Sequence, residues 1–195
     1  MKHIINIFIK IFIIFFIILN LQSLTKAEDI KEFEIENMSV GVSLLEYFSS
    51  NQIKKFDRNE YTFPAKNKYY RLYIDNMEFE NFDYISVDLK INDKNLIIYG
   101  LNGMIDFKHN EGNKCLQKQK QVKNEIKDIF KSNPEENKFA SKQDPTGQSI
   151  IHNVWFEMQN GKVLVQCYNF TKQTNIQPGL DLAIRLKEFA NWLNS

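Results

Sequence analysis

The sequence predicts an α+β domain. The expected form is two-layered: an antiparallel sheet of about five strands with helices on one face, in the order α-β-β-β-α-β-β-α. Three observations carry that expectation. Five stretches either alternate apolar and polar residues or are rich in Tyr, Ile and Val, as a pleated surface requires. Polar turns separate several of them, above all Asn160-Gly161, and short hairpins imply antiparallel pairing. Between and around these stretches, apolar residues recur at helical spacing, most clearly over Lys114–Lys131.

The chain opens on a segment that stands apart from the domain. Ile11–Leu19 is nine apolar residues without a break, preceded by Lys2, His3 and Lys10. A basic start, an apolar centre and a polar tail with small residues at Thr25 and Ala27 match a secretory signal, with cleavage expected after Ala27. The run is short for a helix that crosses a bilayer, which needs about 20 apolar residues. The alternative is an uncleaved anchor that tethers the domain outside the cell membrane. No cysteine follows the apolar run, so no lipid-modified cysteine anchor is expected.

Residues 28–195 are then expected as a single domain, long enough for a real core. The leader holds three of the 25 basic residues and none of the 24 acidic ones, so the mature chain is slightly acidic. That balance argues against a nucleic-acid binder, which would carry a basic patch. Abundant Asn, Ile, Lys and Phe with few Gly and Pro suggest the codon usage of an AT-rich, bacterial genome.

Taken in order, Glu28–Glu36 reads as a short extended arm. Ser39 is placed to cap a helix carrying Leu44, Leu45 and Phe48 on one face, with a fresh cap at Ser50-Asn51. The stretch Ile35–Ser49 (Ile-Glu-Asn-Met-Ser-Val-Gly-Val-Ser-Leu-Leu-Glu-Tyr-Phe-Ser) resembles the start of the mature part in a group of small exported bacterial proteins of unknown function. The resemblance implies only that the folded domain follows the leader directly.

Asp57–Lys68 is polar and contains Pro64, so a loop is expected. Tyr69–Asp75 reads as a strand. Tyr84–Ile91 and Leu96–Phe107 read as a hairpin around Asn92–Asn95, with Gly100 and Gly103 allowing a bulge or a close approach. Lys114–Lys131 is helical, with Cys115, Gln119, Val122, Ile126, Ile129 and Phe130 in one stripe, and Pro134 ends it. Residues 135–149 form the longest polar segment and are expected as a mobile loop. Ile150–Met158 and Lys162–Phe170 form the second hairpin. The last helix is expected over Leu180–Leu193, with Asp181 at its N-terminal end.

Cys115 lies on the apolar stripe of its helix, and Cys167 on the apolar face of its strand. In an oxidising compartment a Cys115–Cys167 disulfide is expected, closing a loop of about 52 residues and contributing up to about 4 kcal/mol. Two buried free thiols, or a catalytic cysteine, are the alternatives.

His109 and His152 are the histidines of the mature chain. His152 falls on an apolar face, as a core residue would. His109 sits in a loop near Glu111 and Cys115. Two histidines without short-range pairing make neither a metal site nor a nucleophile–base pair. No phosphate loop, zinc-protease or serine-hydrolase motif occurs, and the acidic pairs Asp75/Glu78 and Glu135/Glu136 read as solvated surface. No catalytic residue, cofactor or metal is assigned.

Tyr69, Tyr70, Tyr73, Phe79, Phe82 and Tyr84 cluster within sixteen residues. They form either a contact surface for a partner or the two packed sides of a hairpin. The functional expectation is a small exported, periplasmic binding or assembly module. Its partner would be an envelope protein or a small ligand, and it would meet a membrane only through an uncleaved leader. It would use the exposed sheet side, the Tyr69–Tyr84 strip or the 135–149 loop. The alternative is an exported hydrolase whose site is assembled from scattered residues.

Overall fold

The structure, a computed structural model, describes residues 29–61, 68–74, 77–109, 111–174 and 176–195. The leader, its cleavage position and Asp75 lie outside the described residues. Ten strands are described, β1 Glu34–Ile35, β2 Met38–Ser39, β3 Asp57–Glu60, β4 Tyr69–Ile74, β5 Tyr84–Lys90, β6 Ile98–Asp106, β7 Glu135–Ala140, β8 Ile150–Met158, β9 Gly161–Asn169 and β10 Gly179–Leu186. The α-helices are α1 Ser50–Ile53, α2 Gly112–Phe130 and α3 Lys187–Leu193.

The domain is α+β, built on one antiparallel sheet of eight strands in the order β3-β4-β5-β6-β10-β9-β8-β7. Two four-stranded meanders, β3–β6 and β7–β10, meet where β6 pairs with β10. All five expected strands and helix α2 form. The sheet is larger than expected because three strands lie where the sequence reads as loop or helix.

Two of these are the sheet edges. Every residue of β3 and of β7 is exposed, so neither carries the alternation that marks a half-buried strand. Their charges suit an edge, since Asp57, Arg58 and Glu60 on one side and Glu135, Glu136 and Lys138 on the other discourage pairing with another chain. The rest of the expected mobile loop is also tied down. Asp144 accepts hydrogen bonds from Ser149 N and Oγ and from Thr146 N and Oγ1, at 2.6–2.9 Å.

The third is β10, where a helix was expected. Leu182, Ala183 and Leu186 satisfy a helical stripe, yet the buried alternation Leu180, Leu182, Ile184 wins. Gly179–Ile184 are buried on both faces, so hydropathy leaves the period undecided. Only Lys187–Leu193 remains helical, as α3.

The expected helix over 39–49 is replaced by β2, a 3₁₀ turn at Leu44–Glu46 capped by Ser43, and α1 capped by Ser49 in a reciprocal pairing with Gln52. The β8–β9 hairpin forms, but its closing pair is Met158 with Gly161, so Gln159 and Asn160 make the turn. Gly161 is there for space: a Cβ would meet the Arg185 carbonyl and lie 2.8 Å from Ile30 Cδ1. The two-residue turn with positive φ occurs instead at Glu36 (51°) and Asn37 (62°), between β1 and β2.

The two faces of the sheet are covered differently, so the helices do not share one face. The apolar face carries Tyr70, Leu72, Ile74, Ile85, Val87, Leu89, Leu101, Val165 and Leu182 into the main core. Residues 30–56 cover β6 and the strands beside it, with Ile30–Glu32 reaching β9, and α2 covers β9 and β10. The disulfide Cys115–Cys167, with Cα atoms 5.8 Å apart, fastens α2 to β9. Gln119 reinforces that junction by donating to the carbonyls of His152 (2.7 Å) and Val165 (2.9 Å). On the opposite face, α3 packs Phe189 and Trp192 against Tyr69. Gly100 makes this possible, since a Cβ there would lie 2.7 Å from the Phe189 ring.

Candidate functional site

Strand register lays out the second face row by row. One row runs Arg71, Asp88, Gly100, Arg185, Lys162, Glu157 from β4 to β8. The next runs Tyr73, Ser86, Asn102, Ala183, Leu164, Trp155. A third runs Tyr84, Met104, Asp181, Gln166, Asn153, Asn137. The alternation that points Val87 and Leu101 into the core necessarily aims these neighbours the other way.

One half of the face is closed upon itself. Asp88, fully buried, accepts from Arg71 Nε (2.8 Å), Arg71 Nη2 (3.0 Å), Tyr61 OH (2.6 Å) and Asn102 Nδ2 (3.2 Å). Burial alone would push its carboxyl up; the Arg71 charge and these hydrogen bonds outweigh burial and hold it below the usual range. Burial and the neighbouring Asp88 carboxylate push the Tyr61 hydroxyl up, so it stays a donor.

That network does not satisfy every polar group on the face. Asp181 Oδ1, Arg185 Nε, Asn102 Oδ1 and Ser86 Oγ are buried and have no hydrogen-bond partner among the described residues. Tyr69 OH and Trp192 Nε1, on the same face, are also without partners among these residues; buried polar atoms are nearly always paired, so six on one face mark it as unusual. Burial pushes the Asp181 carboxyl up, and the Arg185 and Arg71 charges offset this only in part. Burial, with help from Asp106 and Asp181, pushes the Tyr84 hydroxyl up to about 12. At the β8–β10 end, a cavity of about 220 Å³ opens beside Arg185, Asn153 and Trp155.

The apolar face has an opening of its own. The two covers, residues 30–56 and α2, meet only in part, and a seam of about 230 Å³ remains above Ile105, Leu180 and Leu182. Phe33, Ile35 and Phe82 form one wall and Val122, Ile126 and Ile129 the other. Glu36 fixes the first wall by accepting from the backbone N–H of Glu80 (3.0 Å) and Asn81 (2.8 Å). Phe82 lies flat on β6 because residue 103 is glycine; a Cβ there would be 2.6 Å from its ring. Phe33 stacks on Phe130 at 5.8 Å. Ile129 is 51% exposed, an apolar side chain left at the rim.

The residues singled out by sequence are dispersed. Tyr69 and Tyr70 are buried, on opposite faces of β4, and cannot belong to one exposed strip. Tyr73 and Tyr84 lie half-buried on the polar face, while Phe79 and Phe82 pack against the apolar core. His109 faces the Phe170 carbonyl at 3.3 Å. His152 lies on the core-facing side of β8 opposite Cys167, and burial with the Lys138 charge lowers its pKa. Cys115 is taken by the disulfide, so no Cys–His pair exists. Among the described residues, no cluster of three His, Cys, Asp or Glu side chains could hold a metal, and no helix is long and apolar enough to cross a membrane.

Sequence reasoning missed Arg71, Asp88, Asn102, Asp181 and Arg185. Ser86 and Asp88 alternate with core residues and read as solvent-facing, whereas both are buried. The available clue was the aromatic content of Lys187–Leu193: Phe189 and Trp192 need a second apolar patch to bury against. Comparison with protein-family models, with curated proteins and with solved structures finds no match for this chain.

Proposed function

We propose that the protein is a small exported binding module that takes a predominantly apolar small molecule into the seam between the β1–β2 hairpin and α2. The observation that carries this reading is the seam itself, a concavity of about 230 Å³ in which nine of the fourteen lining residues are apolar. Ligand sites are characteristically concave, mostly apolar and supplied with a few polar groups. Here those groups are Lys118, Glu34 and Glu125 at the mouth. The wall positions are held by fixed parts: the disulfide sets α2, and Glu36 sets the hairpin. Export is supported by the signal-like leader and by a disulfide, which persists in oxidising compartments.

A ligand burying on the order of 250 Å² of apolar surface gains roughly 6 kcal/mol, a dissociation constant of tens of micromolar. Titration with the neutral apolar dye N-phenyl-1-naphthylamine is expected to raise its fluorescence with saturation in about that range. Val122→Phe fills the seam from the surface of α2 and is expected to abolish the rise while leaving the thermal melt intact. A folded protein that gives no rise, or a variant that binds equally well, contradicts the proposal.

A further inference from the structure

The cavity at the far end of the polar face has a chemistry opposite to the seam's. Asn137, Asn153, Trp155, Lys162, Arg185 and Asn194 surround its roughly 220 Å³, and no carboxylate lines it. Arg185 Nε is buried without a partner, and no ion pair involves Arg185 among the described residues. The acid on its own strand, Asp181, sits two rows away and forms no hydrogen bond with it. Lys162 is paired with Glu157 at 2.6 Å, so Arg185 is the lining cation without an ion pair among the described residues. Asn153 Oδ1 accepts from Gln166 Nε2 at 2.7 Å, which turns the Asn153 amide N–H groups outward as donors. The lining therefore offers a guanidinium, an ammonium and three amides, and no carboxylate.

We infer that this cavity is a second binding site, for the carboxylate or phosphate of a small hydroxylated molecule such as an acidic sugar or a sugar phosphate. A guanidinium recognises either oxyanion through charge-assisted, commonly bidentate hydrogen bonds. The three asparagine amides suit hydroxyl groups, since each amide can both donate and accept. Trp155, half-buried on the same wall, offers an apolar surface to the body of a ring.

The site shares no lining residue with the seam, so it stands or falls independently of the proposed apolar ligand. Isothermal titration of the purified protein with glucuronate, glucose 6-phosphate, glucose and inorganic phosphate tests it. Glucuronate, glucose 6-phosphate or both are expected to bind at least about tenfold more tightly than glucose, the worth of one charge-assisted contact. Whichever binds identifies the oxyanion. Arg185→Gln is expected to lose that advantage. Asn153→Asp keeps the acceptor for Gln166 but places negative charge at the cavity, so it should lose binding too, with an unchanged melt. Glucose binding equally well, inorganic phosphate matching glucose 6-phosphate, unimpaired binding by both folded variants, or no binding of any probe would each overturn the inference.

Discussion

Along one row of the sheet, Leu72, Val87, Leu101, Ile184, Val163 and Phe156 meet as a continuous apolar band, all buried. One residue away on the same strands, Arg71, Asp88, Gly100, Arg185, Lys162 and Glu157 form the facing row. The same backbone thus holds a band that gains stability by leaving water and a band that must pair its charges to be tolerated there. The first tolerates an imperfect cover, and its gap is an apolar seam. The second closes its hydrogen bonds around the buried Asp88 and leaves Arg185 Nε buried without a partner, at a cost in free energy.

The contrast can be broken first at Asp88. Asp88→Ala leaves the Arg71 guanidinium half-buried without its partner and is expected to cost about 3–5 kcal/mol in urea unfolding at neutral pH. The folded-state pKa of Asp88 is depressed, so its contribution is full above the ordinary carboxylate range and is lost as pH falls through the lower folded value. On the apolar face, Ile184→Ala is expected to cost about 3–4 kcal/mol, from lost burial and a cavity, with no dependence on pH. A strong pH dependence there would contradict the assignment of Ile184 to the apolar row.

Joint replacement of Cys115 and Cys167 by alanine releases α2 from β9. It is expected to cost about 2–4 kcal/mol and to weaken binding in the seam while sparing the Arg185 cavity. The smallest effect has the opposite sign. Asp181 is unpaired and its folded pKa is raised, so the folded state takes up a proton at a pH where the unfolded chain has lost it. Stability therefore falls as pH rises from the ordinary carboxylate pKa through the raised one. Asp181→Asn should remove that slope and stabilise the protein at neutral pH; an unchanged slope would show that another group carries it.

What the sequence makes legible follows from the same asymmetry. β5, β8 and β9 show alternation because their two faces differ in apolar content, and α2 shows a stripe because its outer side is solvated. Cys115 and Cys167 could be paired in advance because both fall on the apolar phase of their elements. β3 and β7 have no buried side to reveal them. β10 is buried on both, and the reading that made it helical also hid Asp181 and Arg185, which become neighbours of Asn102 and Lys162 only once the strand is inserted at the centre of the sheet. The sites were illegible for that reason: each is assembled across strands or covers distant in sequence, Phe33 with Ile129 in one case and Asn137 with Arg185 in the other.

The central claim is that the two faces bind different chemistries. Side-chain NMR of the labelled protein, titrated in turn with N-phenyl-1-naphthylamine and glucuronate, tests it most directly. The dye is expected to shift the methyl signals of Val122, Ile126, Ile129 and Leu182 and to leave the Trp155 indole still. Glucuronate is expected to shift the Trp155 indole, the Arg185 Nε and the Asn153 amide and to leave those methyls still. Both ligands shifting one set, or neither shifting its own, would contradict the account.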